Sequence, residues 1–288
     1  MKNVYLCSFA DSRMSPTLER VRRQAEASLF FKEVFLYDEH LLGDLFLKKF
    51  REQLIKGGRG FGYWVWKPYV ILETLKKIPD GAILLYMDAG CWINSKGNEI
   101  FELFVNRTSE SPSGLLVSEL TIDCLEKYYT KGDLLDFFNV RDIKEIVESP
   151  QRAATTFFIR KDPINIEFVE KWLAVFDHFS LIDDTPSVSP NLDGFIENRH
   201  DQSVFSIMSK IRDVEIFPYS FICESVENPI WALRDKKIKL KYRYSFKRFC
   251  RKIKKWACER LKYVLWIFGR TLIIKNFSYI IICLNIII

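Results

Sequence analysis

The chain has 288 residues, of which 48% are hydrophobic and 15% aromatic, and its net charge is +6. This apolar content excludes a disordered chain, and the length suits one large domain with an appendage or two small domains. The positive charge is concentrated in residues 236–270, which contain fourteen lysines and arginines and one acid. We therefore expect an acidic domain at 1–235 and a basic, aromatic tail at 236–288.

The cysteines are scattered along the sequence, and none of them forms a CxxC pair. No signal peptide is recognisable before the first predicted strand. We therefore expect free thiols in a reducing compartment and no structural zinc site.

The chain opens with a predicted strand–helix–strand unit. Residues 3–9 predict a buried strand, and residues 32–37 predict a second one. Between them, Ser15 as N-cap and Pro16 at the first helical position begin a helix that runs to about residue 28. A unit of this length predicts parallel strands joined by a right-handed crossover.

Strands and helices continue to alternate through the rest of the domain, which predicts an α/β fold. Amphipathic periodicity predicts the helices, and short apolar runs predict the strands. The predicted helices lie at 41–55, 69–77, 100–106, 141–148, 165–179 and 198–211, and the predicted strands lie at 82–87, 114–118, 155–160 and 214–217.

The segment 59–94 combines features that are typical of a functional site. Glycines and aromatic residues lead into Lys67 and Pro68, and the apolar strand at 82–87 ends at Asp88. In α/β enzymes, such a strand places its terminal acid at the carboxyl edge of the sheet. Asp88 could instead cap the turn, and Lys67 could be a solvated charge at a helix start.

A second candidate cluster lies at residues 198–202, where His200 and Asp201 begin a predicted helix. They could belong to the site or could cap the helix, because an acid in the first turn suits the helix macrodipole. Ser8 and Asp11, around the end of the first strand, are explained equally well by a local turn motif.

Three segments taken together resemble bacterial GT-A-type glycosyltransferases of lipopolysaccharide and capsule synthesis. They are YWVWKPYVILETL at 63–75, ILLYMDAGC at 83–91 and NRHDQSVFSIM at 198–208. The resemblance implies a GT-A-like fold at 1–235, with a mixed, mostly parallel central sheet flanked by helices. It also implies a hexosyltransferase-type enzyme that moves a sugar from a nucleotide-sugar donor to a hydroxyl of a cell-envelope glycan or lipid-linked acceptor.

The resemblance implies roles for individual residues. Asp88 matches the first acid of the family's Asp-x-Asp motif, and Lys67 matches a basic residue that contacts the donor diphosphate. His200 and Asp201 match a later segment near the diphosphate. The implied catalytic residues are Asp88, His200 and Asp201, the donor-binding residues are Ser8, Asp11, Arg59, Lys67, Asp88 and Gly90, and the acceptor or pocket wall consists of Trp64, Trp66 and Asp193.

Gly90 stands where the family has its second acid. The resemblance implies a divalent Mn²⁺ or Mg²⁺ held by Asp88 and His200, and the missing acid leaves metal dependence open. Without a metal, side-chain cations must meet the diphosphate charge, and a carboxylate or histidine must deprotonate the acceptor. The candidate cations are Lys67, Arg59, Arg152 and His200, and the candidate bases are Asp201, Asp193 and Glu119.

The basic tail predicts a membrane-surface element. Its bases alternate with aromatic residues, and residues 249–267 form an amphipathic helical stripe. Such a helix is attracted to anionic lipid, which implies a cytoplasmic protein that is peripheral to the inner face of the cytoplasmic membrane. Residues 271–288 are at the lower limit for a transmembrane span. No nucleic-acid motif accompanies the bases, so we expect no nucleic-acid partner, and a solvated helix is the alternative.

Two other functions stay open. One is a nucleotidyl or phosphosugar transferase on a similar sheet, although CSFADSRM at 7–14 lacks the glycine-rich basic loop of that class. The other is a non-catalytic interaction protein at the membrane surface. That alternative gives no reason for Lys67, Asp88 and Asp201 to lie at one edge of the sheet.

Overall fold

The computed structural model describes residues 3–55 and 57–234, so the predicted tail at 236–288 lies outside the described residues. No helix within these two ranges is long and apolar enough to cross a membrane. The strands are β1 (Val4–Phe9), β2 (Glu33–Tyr37), β3 (Ile83–Met87), β4 (Trp92–Ile93), β5 (Leu115–Glu119), β6 (Arg152–Arg160), β7 (Glu215–Pro218) and β8 (Ile230–Trp231). The helices are α1 (Ser15–Ser28), α2 (Asp44–Lys49), α3 (Gly60–Tyr63), α4 (Trp66–Lys77), α5 (Asn98–Glu110), α6 (Glu126–Tyr129), α7 (Gly132–Phe137), α8 (Lys144–Val147), α9 (Pro163–Val175) and α10 (Asp201–Ile211).

The main sheet has the strand order β2-β1-β3-β6-β5-β7. β1 pairs in parallel with β2 and β3, and β5 pairs in parallel with β7, whereas β6 is antiparallel to both of its neighbours. The predicted parallel opening unit and the predicted mixed, mostly parallel sheet are confirmed. β4 and β8 form a separate antiparallel pair that the sequence patterns did not predict.

Both faces of the sheet are covered, since its central strands are apolar along their whole length. Every residue of β1 and β3 is buried. Helices α5 and α10 pack against β6, and α4 packs against β1 and α9. The Phe157 ring in β6 lies 4.6 Å from the Phe205 ring in α10, measured between centroids. Helices therefore flank the sheet, which confirms the predicted α/β class.

The predicted helix at 41–55 is wrong in length, because only the short helix α2 forms there. Phe50 leaves the helical conformation (φ −108°, ψ 23°), and its ring packs 4.9 Å from that of Phe46. The Phe46 ring is buried and stacks on Tyr69 of α4 at 4.2 Å. Packing against a distant helix therefore overrides the local amphipathic pattern.

The carboxyl ends of β1 and β3 and the start of β6 meet at one edge of the sheet. In the ladder between β3 and β6, Met87 is paired with Thr156. The Asp88 N–H donates to the Thr155 carbonyl at 2.8 Å, which places Asp88 immediately beyond the end of β3. This edge positions the candidate site.

Candidate active site

A cavity of about 420 Å³ opens at this edge of the sheet. Its volume lies within the range of small-molecule sites, roughly 300–1,000 Å³. The end of β1, the turn after β3, the start of α4 and the start of α10 contribute to its lining. The predicted site residues that line it are Asp11, Arg59, Trp64, Trp66, Lys67, Asp88, Gly90, His200 and Asp201.

Four predicted residues do not line this cavity in the described part of the chain. Ser8 is fully buried within β1, which continues for one more residue before the edge. Arg152 is buried at the start of β6 and donates through Nη1 to the Ser209 carbonyl at 2.5 Å. Asp193 is exposed in the loop before α10, and Glu119 ends β5. These four residues therefore lie outside the lining of this cavity.

Lys67 is the buried centre of the site. Its side chain is 3% exposed, and Nζ lies 2.6 Å from Asp201 Oδ2 and 3.3 Å from Asp88 Oδ1. The ammonium also donates to the Ala154 carbonyl at 3.2 Å. Burial lowers the pKa of Lys67, but the charges of Asp201 and Asp88 outweigh this effect and raise the pKa above its ordinary value. The side chain therefore stays charged.

These contacts give Lys67 a role as a buried counter-ion. Its contact with the Ala154 carbonyl is a hydrogen bond, and its contacts with Asp88 and Asp201 are ion pairs. Asp201 Oδ2 has no hydrogen-bond partner among the described residues. The alternative of a solvated charge is wrong, because the side chain is buried. Lys67 is therefore a counter-ion shared by Asp88 and Asp201, and the direct diphosphate contact that the resemblance implied stays a prediction.

Asp88 is the more accessible of the two carboxylates. Its side chain is 30% exposed, against 6% for Asp201. The Tyr86 hydroxyl donates to Asp88 Oδ1 at 2.7 Å, and the same oxygen is the one nearest to Lys67. The contacts on Oδ1 orient the carboxylate and direct its remaining capacity for hydrogen bonds towards the cavity.

The turn after Asp88 is held by Arg20, a buried residue of α1 that the sequence analysis missed. Arg20 Nη2 donates to the carbonyls of Ala89 and Cys91 at 2.5 and 2.9 Å. Burial and the neighbouring charge of Asp88 raise the pKa of the Cys91 thiol. Cys91 therefore stays protonated, which disfavours a role as a soft-metal ligand.

Asp201 begins α10 and is buried beside Lys67. Burial, together with the charge of Asp88, raises the pKa of its carboxyl to about 6, although Lys67 acts in the opposite direction. An aspartate in an unfolded chain has a pKa of about 4. The folded protein therefore binds the Asp201 proton more tightly than the unfolded chain does.

This raised pKa predicts how stability changes with pH. The contribution of Asp201 is fully present below about pH 4 and is lost as the pH rises through about 6. The difference in free energy of unfolding, wild type minus Asp201→Asn, should therefore fall from pH 4 to pH 7. Urea unfolding of both proteins measures this difference in free energy. His200 titrates in both proteins, so its contribution cancels in the difference. A difference that stays constant over this range would contradict the raised pKa.

His200 has an unusual backbone conformation, and Nδ1 of its ring is hydrogen-bonded to the protein backbone. Its φ of 56° and ψ of −123° lie in a region that favours glycine, at a cost of roughly 1–3 kcal/mol. Nδ1 lies 2.5 Å from the Ile182 carbonyl and therefore carries a proton, while Nε2 lies 3.7 Å from Asp184 Oδ1. The ring stacks on Trp64. Burial lowers the pKa of His200, and its side chain makes no helix-capping hydrogen bond.

Asp11 is buried after the end of β1 and carries an unsatisfied oxygen. Its Oδ2 accepts from Arg13 Nε at 2.9 Å and from Arg13 Nη2 at 2.5 Å. Its Oδ1 has no hydrogen-bond partner among the described residues. Leaving a buried carboxylate oxygen unpaired is costly. Since Asp11 lines the cavity, a ligand hydroxyl or N–H group could satisfy this oxygen.

Arginines line the cavity, and the sequence analysis selected only one of them. Arg59 pairs with Asp184 at 3.1 Å, and the Arg199 guanidinium lies 3.4 Å from the centre of the Tyr129 ring. A guanidinium has five N–H donors, so donors suited to phosphate oxygens are left after such contacts. Arg199 directly precedes the predicted site residue His200, and this position in the sequence could have identified it. The arginines of the lining are Arg13, Arg59, Arg199 and Arg234.

The residues of the cavity do not fit a divalent metal. Asp88 and His200 both line it, but Asp88 is paired with the Lys67 ammonium, which leaves Nε2 of His200, without a hydrogen-bond partner among the described residues, as a single free donor. Across residues 3–55 and 57–234, no group of three or more His, Cys, Asp or Glu side chains could hold a metal ion. The ammonium of Lys67 lies between the two carboxylates that would otherwise serve as ligands.

A buried polar network supports the start of α10. Glu126 is fully buried, with Lys210 Nζ 2.7 Å from Oε2 and Gln151 Nε2 2.9 Å from Oε1. Gln151 also accepts a hydrogen bond at 2.9 Å from Gln202, which lines the cavity beside Asp201. No sequence pattern indicated this network, because its members come from distant segments of the chain.

No protein-family model and no curated protein sequence matches this chain. Apo mouse xyloside xylosyltransferase 1 is 12% identical with a TM-score of 0.43, and the match covers 80% of this chain and 97% of that one. A glycosyltransferase involved in glycosylation of the major capsid of PBCV-1 is 11% identical with a TM-score of 0.41, over 75% and 81% of the two chains. The galactosyltransferase LgtC, in complex with donor and acceptor sugar analogs, is 12% identical with a TM-score of 0.39, over 70% and 69%. The α/β class of this chain follows from its own sheet and flanking helices.

Proposed function

We propose that this chain is a glycosyltransferase that moves a sugar from a nucleoside-diphosphate-sugar donor to a hydroxyl group. The observation that carries the proposal is the cavity, where arginines lie beside a buried ammonium shared by two carboxylates. A diphosphate leaving group gains negative charge during transfer, and fixed N–H donors stabilise that charge. Guanidinium groups suit this task because they bind phosphate oxygens through two parallel N–H groups.

In this proposal, Asp11 and the aromatic wall bind the nucleoside. The rings of Phe9 and Trp66 stack 3.9 Å apart and line the same cavity as Asp11. The unsatisfied Oδ1 of Asp11 would accept a hydrogen bond from a ribose hydroxyl or a base N–H. Trp64 extends this wall towards His200, where its ring stacks on the imidazole.

Asp88 is the carboxylate that we assign to the reacting sugar. It is the more accessible member of the pair, and its orientation is set by Tyr86 and Lys67. Its carboxylate would accept a hydrogen bond from a sugar hydroxyl in the cavity. Asp201 is too buried for this contact and would act through Lys67, which makes it a positioning residue in place of the predicted catalytic one.

The proposed acceptor is a cell-envelope glycan or a lipid-linked intermediate of lipopolysaccharide or capsule assembly. What supports it is the sequence resemblance together with the composition of residues 236–288. A basic, aromatic tail would hold a catalytic domain at 1–235 on the anionic cytoplasmic face of the membrane, where such acceptors are assembled.

Thermal unfolding with a panel of sugar nucleotides tests the donor class. A ligand at a hundred times its dissociation constant stabilises the native state by about 2.7 kcal/mol. We therefore expect at least one sugar nucleotide to raise the Tm, and Arg199→Gln to reduce this rise. Arg22→Gln, an exposed residue of α1 outside the cavity lining, should keep it.

Product analysis separates the proposal from nucleotidyl transfer. A glycosyltransferase releases a nucleoside diphosphate from the sugar nucleotide that binds. A nucleotidyltransferase instead releases pyrophosphate from a nucleoside triphosphate. A panel in which no sugar nucleotide raises the Tm, or in which pyrophosphate is the released product, would overturn the proposed function.

A further inference from the structure

Three protein oxygens surround the Lys67 ammonium as ligands would surround a divalent cation, and we call them the oxygen cage. Asp201 Oδ2, the Ala154 carbonyl and Asp88 Oδ1 lie 2.6, 3.2 and 3.3 Å from Nζ. Carboxylate and carbonyl oxygens are the ligands that Mg²⁺ and Mn²⁺ prefer. The lysine side chain is only 3% exposed, so its ammonium is held inside the fold.

We infer that the Lys67 ammonium takes the cation position of this site, so that a nucleoside diphosphate binds in the cavity without a divalent metal. A direct consequence is that removal of the Lys67 side chain exposes a latent Mn²⁺ site. The inference rests on the proposed function only where it names the ligand as a nucleoside diphosphate. The latent site follows from the cage itself.

Charge explains why the ammonium excludes a metal from the cage. A dication bound by Asp88 and Asp201 would lie against Nζ, and two cations at that distance repel each other strongly in a buried setting. With the ammonium present, the two negatively charged carboxylates share its one positive charge. Without it, two carboxylates face each other with no counter-ion from Lys67, which is the arrangement that favours a bound cation.

The neighbouring side chains offer no second cation site in its place. Gly90 supplies no carboxylate where an acid would extend the cage. The Cys91 thiol is buried and protonated, and Nε2 of His200 is a single neutral donor without a hydrogen-bond partner among the described residues. Within residues 3–55 and 57–234, Asp88 and Asp201 are the acids that pair with the Lys67 ammonium, whereas Asp11 pairs with Arg13.

Mn²⁺ titration, read from the electron paramagnetic resonance signal of free Mn²⁺ and without any nucleotide, tests the latent site. Lys67→Ala should bind Mn²⁺ at least about tenfold more tightly than the wild type, because it frees an oxygen cage. Lys67→Ala combined with Asp201→Asn should lose this gain. Lys161→Ala is the matched control, since Lys161 pairs with Asp80, which is 92% exposed, and it should gain no site.

A second measurement uses the wild type, so the inference stays testable if the Lys67 variants do not fold. The affinity for UDP, GDP, CDP and ADP, measured by calorimetry, should agree within about twofold in EDTA and in Mn²⁺ for the diphosphate that binds. A wild-type Mn²⁺ site that Asp88→Asn removes, a folded Lys67→Ala that gains none, or diphosphate binding that requires Mn²⁺ would each overturn it. Failure of every diphosphate to bind would count against the proposed function, while the nucleotide-free titration still decides the cage.

Discussion

Replacing Asp88 by asparagine is expected to lower sugar transfer at least about a hundredfold while the protein stays folded. Asparagine keeps the shape of the side chain, and its oxygen can still accept from the Tyr86 hydroxyl. The substitution removes the negative charge that faces Lys67 and the cavity. The rate of nucleoside diphosphate release measures the effect, and circular dichroism checks the fold.

Asp80→Asn is the matched control for this experiment. Asp80 precedes β3 at the end opposite to Asp88 and is 92% exposed, so its charge acts far from the cavity. The control should transfer sugar at the wild-type rate. Full activity in Asp88→Asn, or equal losses in the two variants, would sink the assignment of Asp88 to the reacting sugar.

Replacing Lys210 by methionine is expected to lower the free energy of unfolding by about 3–5 kcal/mol. The Lys210 side chain is 5% exposed, and its partner Glu126 is fully buried. The variant leaves the Glu126 carboxylate with neutral donors such as Gln151 and Ser206 but without this counter-ion. Urea unfolding measures the loss, and the reason for its size is the uncompensated buried charge.

Lys171→Met is the comparison variant, because the Lys171–Glu167 ion pair has the same N···O distance as the Lys210–Glu126 pair. Lys171 lies 2.7 Å from Glu167 on α9, and the two side chains are 67% and 59% exposed. An exposed pair of this kind contributes about 0–1 kcal/mol, so this variant should lose little stability. Burial is the main difference between the two pairs. Similar losses in both variants would therefore refute the role assigned to burial.

Local sequence patterns were sufficient for several elements of the fold. The short apolar runs predicted β1, β2 and β3, and Ser15 with Pro16 marked the start of α1. These signals work because strand burial and helix initiation depend on residues that are neighbours in the chain. The parallel opening unit followed from the length of its connection, and the structure confirms it.

Elements set by distant packing were not predicted. α2 stops at Lys49 because Phe46 and Phe50 turn towards the core and Tyr69. The β4–β8 pair joins residues more than a hundred positions apart, and neither short segment contains a pattern that predicts the pairing. No local pattern specifies such contacts, because each depends on where the rest of the chain has already placed its partner.

The candidate site shows the same division between residues and their arrangement. The sequence pattern and resemblance selected Asp11, Lys67, Asp88 and Asp201, and all of them line one cavity. Neither could show that Lys67 is buried as a counter-ion shared by Asp88 and Asp201. Ser8 and Asp193 were selected by position in the chain, and neither lines the cavity in the described residues.

By itself, the sequence determined the alternation of the main strands and helices, the acid at the end of β3 and the lysine that precedes it. Only the tertiary structure decided that β6 runs against its neighbours and that α10 brings Asp201 to within 2.6 Å of Lys67. The physical reason is that a buried ion pair depends on distance and desolvation between segments far apart in sequence. A linear pattern records which charges exist, and the fold decides which of them neutralise each other.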